Sequence, residues 1–564
     1  MDLMNWIQPM RTTFVALAAT MLLTACSTPA PEKAAAPVAP AAAQFQVPPL
    51  MPGMGRHHHA IATTNPAAQR YFDQGCDLVF GFNHEEAVRS FTRAADLDPK
   101  AAMPHWGIAW ALGPNYNLDI DDDRAKQANA AIAEALRLSK GGSESERAYI
   151  EAMAIRFPGD AKPDRAALAR KYADAMRDLS RRYPDDLDAA TLYAESLMNL
   201  NAWKLWSLDG KPAAGTEEIV AVLESVLARD PNHLGANHYY IHTVEASPTP
   251  GRALPSATRL STLAPAAGHL THMPAHIHAR VGDHAAAARA NEAGAQADRE
   301  YFKTASADGF YGLAYFTHNL HFLADSEMMR GRLDGARQAA AAVAEKLAPH
   351  TQMMPMVESM ITMKTAVLLR FGRHEELLAL APPAADHPVE VAWWHFARGV
   401  ALARTGKGEE ASRARAALAE AAGKVPNEAL FGGTGLESAK NILALAGTVL
   451  DARIAWASGR QADAIRLWTD AVAAADTVAY DEPPVFFYPV RESLGAALLL
   501  GGKAAEAERV FRDDLTRHPR NARSLFGLHE TLVTQGRLAD AAWVKRAFDE
   551  AWKDADTVLT IEGL

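Results

Sequence analysis

The residues best able to do chemistry in this sequence are histidines. Of 21 His in the 564-residue chain, ten fall between His233 and His321. Two pairs share a spacing of four, His238 with His242 and His272 with His276, and the second pair follows the first by 34 residues at both positions. A spacing of four puts two imidazoles on one face of a helix. Neutral imidazoles suit zinc, copper, iron and nickel, so an i,i+4 pair can hold one ion from a single helix. His269, His318 and His321 lie in the same stretch, and Glu245 comes one turn after His242. The candidate metal set is therefore His238, His242, Glu245, His269, His272, His276, His318 and His321. The two pairs could hold one ion on four nitrogens, and the full set two ions. Glu245 is a third ligand, a partner to a ligating imidazole or a general base. The competing reading makes these groove or core histidines, bonded to neighbours or to a bound peptide.

The elements that must carry these residues are helices. Apolar residues recur at helical spacing from about residue 66 onward, no strand pattern stands out, and a pattern repeats. Gly75, Leu78, Ala87, Phe91, Ala94 and Pro99 fall at positions 8, 11, 20, 24, 27 and 32 of a 34-residue frame. Small residues at 8, 20 and 27 let two helices approach, large ones at 11 and 24 fill the space between them, and the proline ends the second helix. The frame recurs at Ile219, Leu223, Val226 and Pro231, and at Ala253, Ala257, Leu260 and Pro265. It returns in part at Gly282 and Ala287, Gly331 and Ala336, Gly459 and Ala464, then more fully at Gly495, Leu498, Ala507, Phe511 and Pro519, and closes at Gly536 and Ala541. On these residues the chain resembles the tetratricopeptide repeat family. The resemblance spans roughly residues 66–555 in about a dozen hairpins. It implies an all-α, right-handed superhelical solenoid whose first helices line a concave groove, and a protein or peptide segment as partner. In this frame His238 and His272 stand at position 5, His242 and His276 at 9, His269 and His318 at 2, His321 at 5 and Glu245 at 12, all on one face of a first helix. Neighbouring first helices lie roughly 8–10 Å apart, so the imidazoles should cluster, with His321 beside them.

Other segments carry weaker signals. Met51, Met54 and the triplet His57-His58-His59 join thioethers to imidazoles, which suits copper capture or a polar linker. Phe316-Thr317-His318-Asn319-Leu320-His321-Phe322 resembles the His-Asn element of binuclear copper oxidases, with a different His spacing. A zinc-peptidase pair of histidines bracketing a glutamate is missing from the helices. Glu195, Asn199, Trp203 and Trp206 could wall a pocket or simply pack. Irregular breaks fall at 113–117, in an insertion at 301–316, and at 481–488.

The amino-terminal residues read as an address. Met10-Arg11-Thr12-Thr13 precedes an apolar run from Phe14 to Leu23, and Leu23-Thr24-Ala25-Cys26 resembles the lipobox of bacterial lipoproteins. That resemblance implies lipidation at Cys26. The nine residues before Met10 suit a signal poorly, which favours Met10 as the start, and the same resemblance implies from Ser27 an outer-membrane anchor facing the periplasm. Beyond Cys26 the one remaining thiol is Cys76, so the mature chain has no disulfide to form. The expected organisation is signal 1–26, an Ala/Pro-rich tether and Met/His segment 27–65, repeats 66–300, the insertion 301–316, and repeats 317–564. A net charge of −10 gives no basic footprint, so nucleic acid is excluded as a partner. Three functions remain open: a binding scaffold with a copper or zinc site in its groove, a metalloenzyme (oxidase or hydrolase) on the same cluster, and a metal-free adaptor in envelope assembly.

Overall fold

A computed structural model describes residues 47–159, 163–352 and 354–564. The signal, Cys26 and the first part of the tether lie outside them. The described chain is a succession of antiparallel helical hairpins, from Pro66–Phe80 with His84–Leu97 to Ala522–Thr534 with Leu538–Ala551. It is an all-α solenoid of tetratricopeptide type. Among the described residues the one ladder is two residues long, Leu430–Phe431 against Glu437–Ser438.

The frame residues do what their sizes require. Phe91 is fully buried, and a Cβ on Gly75 or on Gly107 would stand 2.4 or 2.6 Å from its ring. Phe511 is wedged in the same way between Gly495 and Gly527. Helix starts are fixed locally as well: Asn65 caps Pro66–Phe80 by accepting the amides of Ala67 and Ala68, and Asn83 caps His84–Leu97 by accepting that of Glu86.

Burial organises the chain around two large apolar cores, one built from residues between Met54 and Tyr315, the other from residues between Ala324 and Leu564. The helix Phe310–Met329 passes from the first core to the second, so His318 sits at the junction. Its start corrects the expected insertion. Residues 310–316 are helical, because Tyr311 and Tyr315 recur at helical spacing and bury in the first core; the irregular stretch is 302–309.

The two halves also meet far along the sequence. Gly282 (φ +77°) turns out of the helix Pro274–Arg280, and a Cβ there would lie 1.8 Å from the Pro519 carbonyl oxygen. An alanine at 282 meets a left-handed backbone and a rigid carbonyl together, so Gly282→Ala should cost about 2 kcal/mol or more. A melting temperature equal to that of the parent chain would contradict this packing.

Candidate metal centre

Six imidazoles converge. His238 and His242 come from Leu234–Val244, His269 and His272 from Gly268–His272, His276 from Pro274–Arg280 and His318 from Phe310–Met329. They fall into two adjoining triads, His238 with His242 and His269, and His272 with His276 and His318; within each, the candidate ligand atoms lie within 4.8 Å of one another. Each triad takes positions 5 and 9 of one first helix and position 2 of the next. His318 follows His269 by 49 residues, one 34-residue period plus the 15 residues 302–316.

The hydrogen bonds show which nitrogens are offered. His238 Nδ1 donates to the Phe80 carbonyl oxygen (2.6 Å), and His272 Nδ1 to Asn291 Oδ1 (2.5 Å). His242 Nδ1 donates to Glu245 Oε1 (2.9 Å), and His276 Nδ1 to Glu245 Oε2 (2.5 Å). All four partners are acceptors, so each Nδ1 carries the proton and each neutral ring turns an Nε2 lone pair inward. The inward nitrogens crowd together. His238 and His269 Nε2 are 3.1 Å apart, His272 and His276 Nε2 2.9 Å, and His272 and His318 Nε2 3.1 Å, while the buried His242 Nε2 has no hydrogen-bond partner. Two arrangements bring imidazole nitrogens this close: an Nε2–H donating to its neighbour, which the unanchored Nδ1 of His269 permits, or a cation between two lone pairs. Two nitrogens each about 2.0 Å from one ion stand roughly 3 Å apart.

A second proton is disfavoured on four of the rings. Burial, with neighbouring imidazoles adding to it, holds His238, His269, His272 and His318 well below the ordinary histidine range. His276 is the exception: burial opposes its charge, but Glu245 raises it, and the charged ring donates its Nε2–H to His272 Nε2 when no ion is bound. Glu245 would itself be raised by burial, yet His276 and His242 bring it down to about 2. Its two oxygens are both taken by imidazoles. It joins the two triads, and with His242 and His276 it makes a further group whose candidate ligand atoms lie within 4.8 Å of one another.

The remaining candidates separate. His321, three residues past His318, turns away and lines a small cavity with Ser359, Thr362, Trp393 and Phe487 in the second half. As in the first triad, position 2 of the next hairpin, not position 5, stands against the pair before it. Asn319 is buried and donates to Asp298 Oδ2 (2.9 Å), away from the triads. Trp203 packs on His242 and Tyr116, with ring centroids 5.8 and 5.1 Å away, and donates to Asn117 Oδ1 (3.1 Å). Tyr116, Phe82 and Tyr315 complete an aromatic cover over His242 and His269. Glu195 accepts from Asn199 (2.5 Å), and Trp206 donates to the Thr243 carbonyl (2.7 Å); these two contacts brace helices.

Two features escape a reading of the sequence. Phe80 supplies an Nδ1 anchor from the first hairpin, and Asn291 one from the second helix of the hairpin that carries His272. The 481–488 break brings Glu482 to the second triad, where burial pushes it up to about 7 while His276 and Arg280 draw it down. Arg280 donates to the Glu245 carbonyl (2.9 Å) and lies over the Tyr480 ring. The break itself was visible; its destination was not.

The Met/His segment is not a free capture arm. Met54 is buried, the Gly53 carbonyl accepts from Ala266, and His57 and His59 both bond Asp188 Oδ2 (3.2 and 2.7 Å). His233 joins them, but its Nδ1 accepts the Ala236 amide, so its Nε2 must donate to Asp188 Oδ1 (3.1 Å). That proton argues for an ionic latch here, not a metal site. Burial opposes charge on His57, but Asp188 pushes it up to about 9. A raised histidine contributes fully below its unfolded value of about 6.5 and loses that contribution as pH rises through 9. Asp77 beside it is pushed up by burial to about 8 and gains charge over the same range. Amide exchange in residues 50–60 should therefore speed up between pH 7 and 10; protection that is unchanged or rises would refute the latch.

No family model matches this chain, and no curated protein matches it. Among solved structures it is similar to human IFIT1 in its dimer with m7Gppp-AAAA (12% identity, 87% of this chain and 91% of that one, TM-score 0.33). It is also similar to Naa15/Naa10 bound to HypK-THB (11% identity, 87% and 90%, TM-score 0.25).

Proposed function

We propose that the chain is a dinuclear copper protein in which each of two ions is held by three Nε2 atoms, and that the pair reacts with dioxygen. The observation that carries this reading is the convergence of six buried or half-buried imidazoles in two groups of three, four of them with Nδ1 anchored outside and Nε2 turned inward. A structural zinc takes four protein ligands, whereas three leave a position open for chemistry. The six imidazoles of the triads, with both oxygens of Glu245 accepting from their Nδ1 atoms, favour copper over ions that recruit oxygen ligands. Ring centroids of the two triads come within 5.5 and 5.7 Å of each other, His242 with His276 and His269 with His272, so the two triads would hold their ions as near neighbours. Two copper ions held by His238, His242 and His269 and by His272, His276 and His318 would supply paired one-electron redox chemistry.

The aromatic cover closes the first triad, while His318 in the second is only partly buried. We therefore place the approach of a small reductant at the second triad, beside Glu482. Protein loaded with Cu(I) under nitrogen should gain a near-ultraviolet charge-transfer band on admission of air and show little paramagnetic copper signal, as coupled Cu(II) pairs do. Two zinc ions bound in preference to copper, with no spectral response to air, would instead favour a hydrolase. The lipid anchor at Cys26 and the outer-membrane, periplasm-facing location belong to the same proposal. Labelled fatty acid incorporated by the parent chain and not by Cys26→Ala would support them, and equal labelling of both would remove them.

A further inference from the structure

The second half of the solenoid holds an extended stretch of its own chain. After the helix Leu538–Ala551, residues 554–560 form neither helix nor ladder. Exposure alternates along it: Asp556, Val558 and Thr560 face out, while Thr557, Leu559 and Ile561 are partly covered. Period-two burial is the mark of an extended peptide lying on a surface. Its polar contacts run from one end of the half to the other. Asp554 pairs with Arg330 (3.1 Å) and gives its carbonyl to Arg332 (2.8 Å), and Asp556 donates its amide to the Gly331 carbonyl (3.1 Å) and accepts from the Leu333 amide (2.9 Å). Further on, the carbonyls of Glu562, Gly563 and Leu564 accept from Arg404, from Arg523 (2.7 Å) and from Arg453 (2.6 Å), and Ser493 also donates to Leu564 (3.0 Å). Leu564 is buried in the second core.

The donors come from four successive first helices: Arg404 from Pro388–Arg404, Arg453 from Ala439–Ala457, Ser493 from Arg491–Leu500 and Arg523 from Ala522–Thr534. This is the face that a repeat solenoid of this type turns toward its groove. Guanidinium groups outnumber carboxylates in its floor. Arg370 and Arg523 share the one buried Glu492. Burial and neighbouring arginines lower Arg523 to about 9 and Arg404 to about 10. Such a floor asks for backbone carbonyls and acidic groups from whatever lies on it.

We propose that this groove is a peptide-binding site for extended, acidic and apolar segments, and that residues 554–564 are its tethered occupant. Tethering gives the segment an effective concentration in the millimolar range, so a free peptide reaches the groove only when the segment leaves. The proposal does not depend on the histidine centre.

The test keeps the chain whole until it has folded. A site-specific protease sequence is inserted after the exposed Lys553 and cut in the native protein. Labelled peptide of residues 554–564 should then exchange into the cut protein and saturate it, with a scrambled peptide failing to bind. Arg453→Ala in the cut protein should weaken binding about tenfold or more. The uncut chain should take up little labelled peptide. Loss of helical signal on cutting would make the segment a structural cap and overturn the proposal. A cut protein that stays folded but prefers the peptide no more than its scrambled form would also overturn it.

Discussion

Chain carrying His238→Ala and His242→Ala should bind one copper ion where the parent binds two, and so should chain carrying His272→Ala and His276→Ala. The four substitutions together should leave none. Each pair removes two of three nitrogens from its own triad and none from the other. His321→Ala, by contrast, should keep both ions, because that ring faces a cavity in the second half. Elemental analysis of protein re-exposed to copper and dialysed reads all four outcomes, and circular dichroism shows whether the helices persist. One ion bound by the parent, or a loss in His321→Ala equal to that in the paired variants, would refute the two-triad assignment. Binding should also register as stability. Free copper at a thousand times its Kd adds about 4 kcal/mol per independent site, so the thermal shift on adding metal should shrink in steps from parent to paired to fourfold variant.

The second large effect concerns Glu245. One carboxylate anchors an imidazole of each triad, so a single substitution should weaken both ions. Loss of such an outer partner costs about 10- to 100-fold in metal affinity. Glu245→Leu removes both acceptors and should show that loss at both sites. Glu245→Gln offers one oxygen and one amide N–H; the oxygen still serves one ring, and the amide opposes the Nδ1–H of the other. It should spare one ion and weaken the other, giving a biphasic titration. Equal, undiminished affinity in both variants would show that the carboxylate does not orient the rings. A ligand role for Glu245 predicts something else, the complete loss of one ion in both variants.

Much of this arrangement is legible in the sequence. Two i,i+4 histidine pairs one repeat apart fix four ligands on equivalent faces, because a solenoid repeats its geometry with its period. The frame also puts His269 and His318 on that face. What hides the symmetry is the 15-residue step at 302–316, which makes His318 the counterpart of His269 and leaves His321 over. Without coordinates His318 and His321 are equal candidates, since residues three apart share a helix face.

The sequence alone therefore determined the helical class, the repeat frame and the neighbourhood of the histidines, because these follow from local periodicity. Only the tertiary structure decided the tautomers. Nδ1 of His238 is fixed by a carbonyl 158 residues away, and Nδ1 of His276 by a carboxylate 31 residues away. Only the tertiary structure, too, brought Glu482 to the second triad and laid residues 554–564 across four first helices. Contacts of that kind depend on how the superhelix closes on itself, and helical period says nothing about closure. The histidines were thus identifiable as a cluster from their spacing, but their division into two groups of three rests on how the hairpins stack.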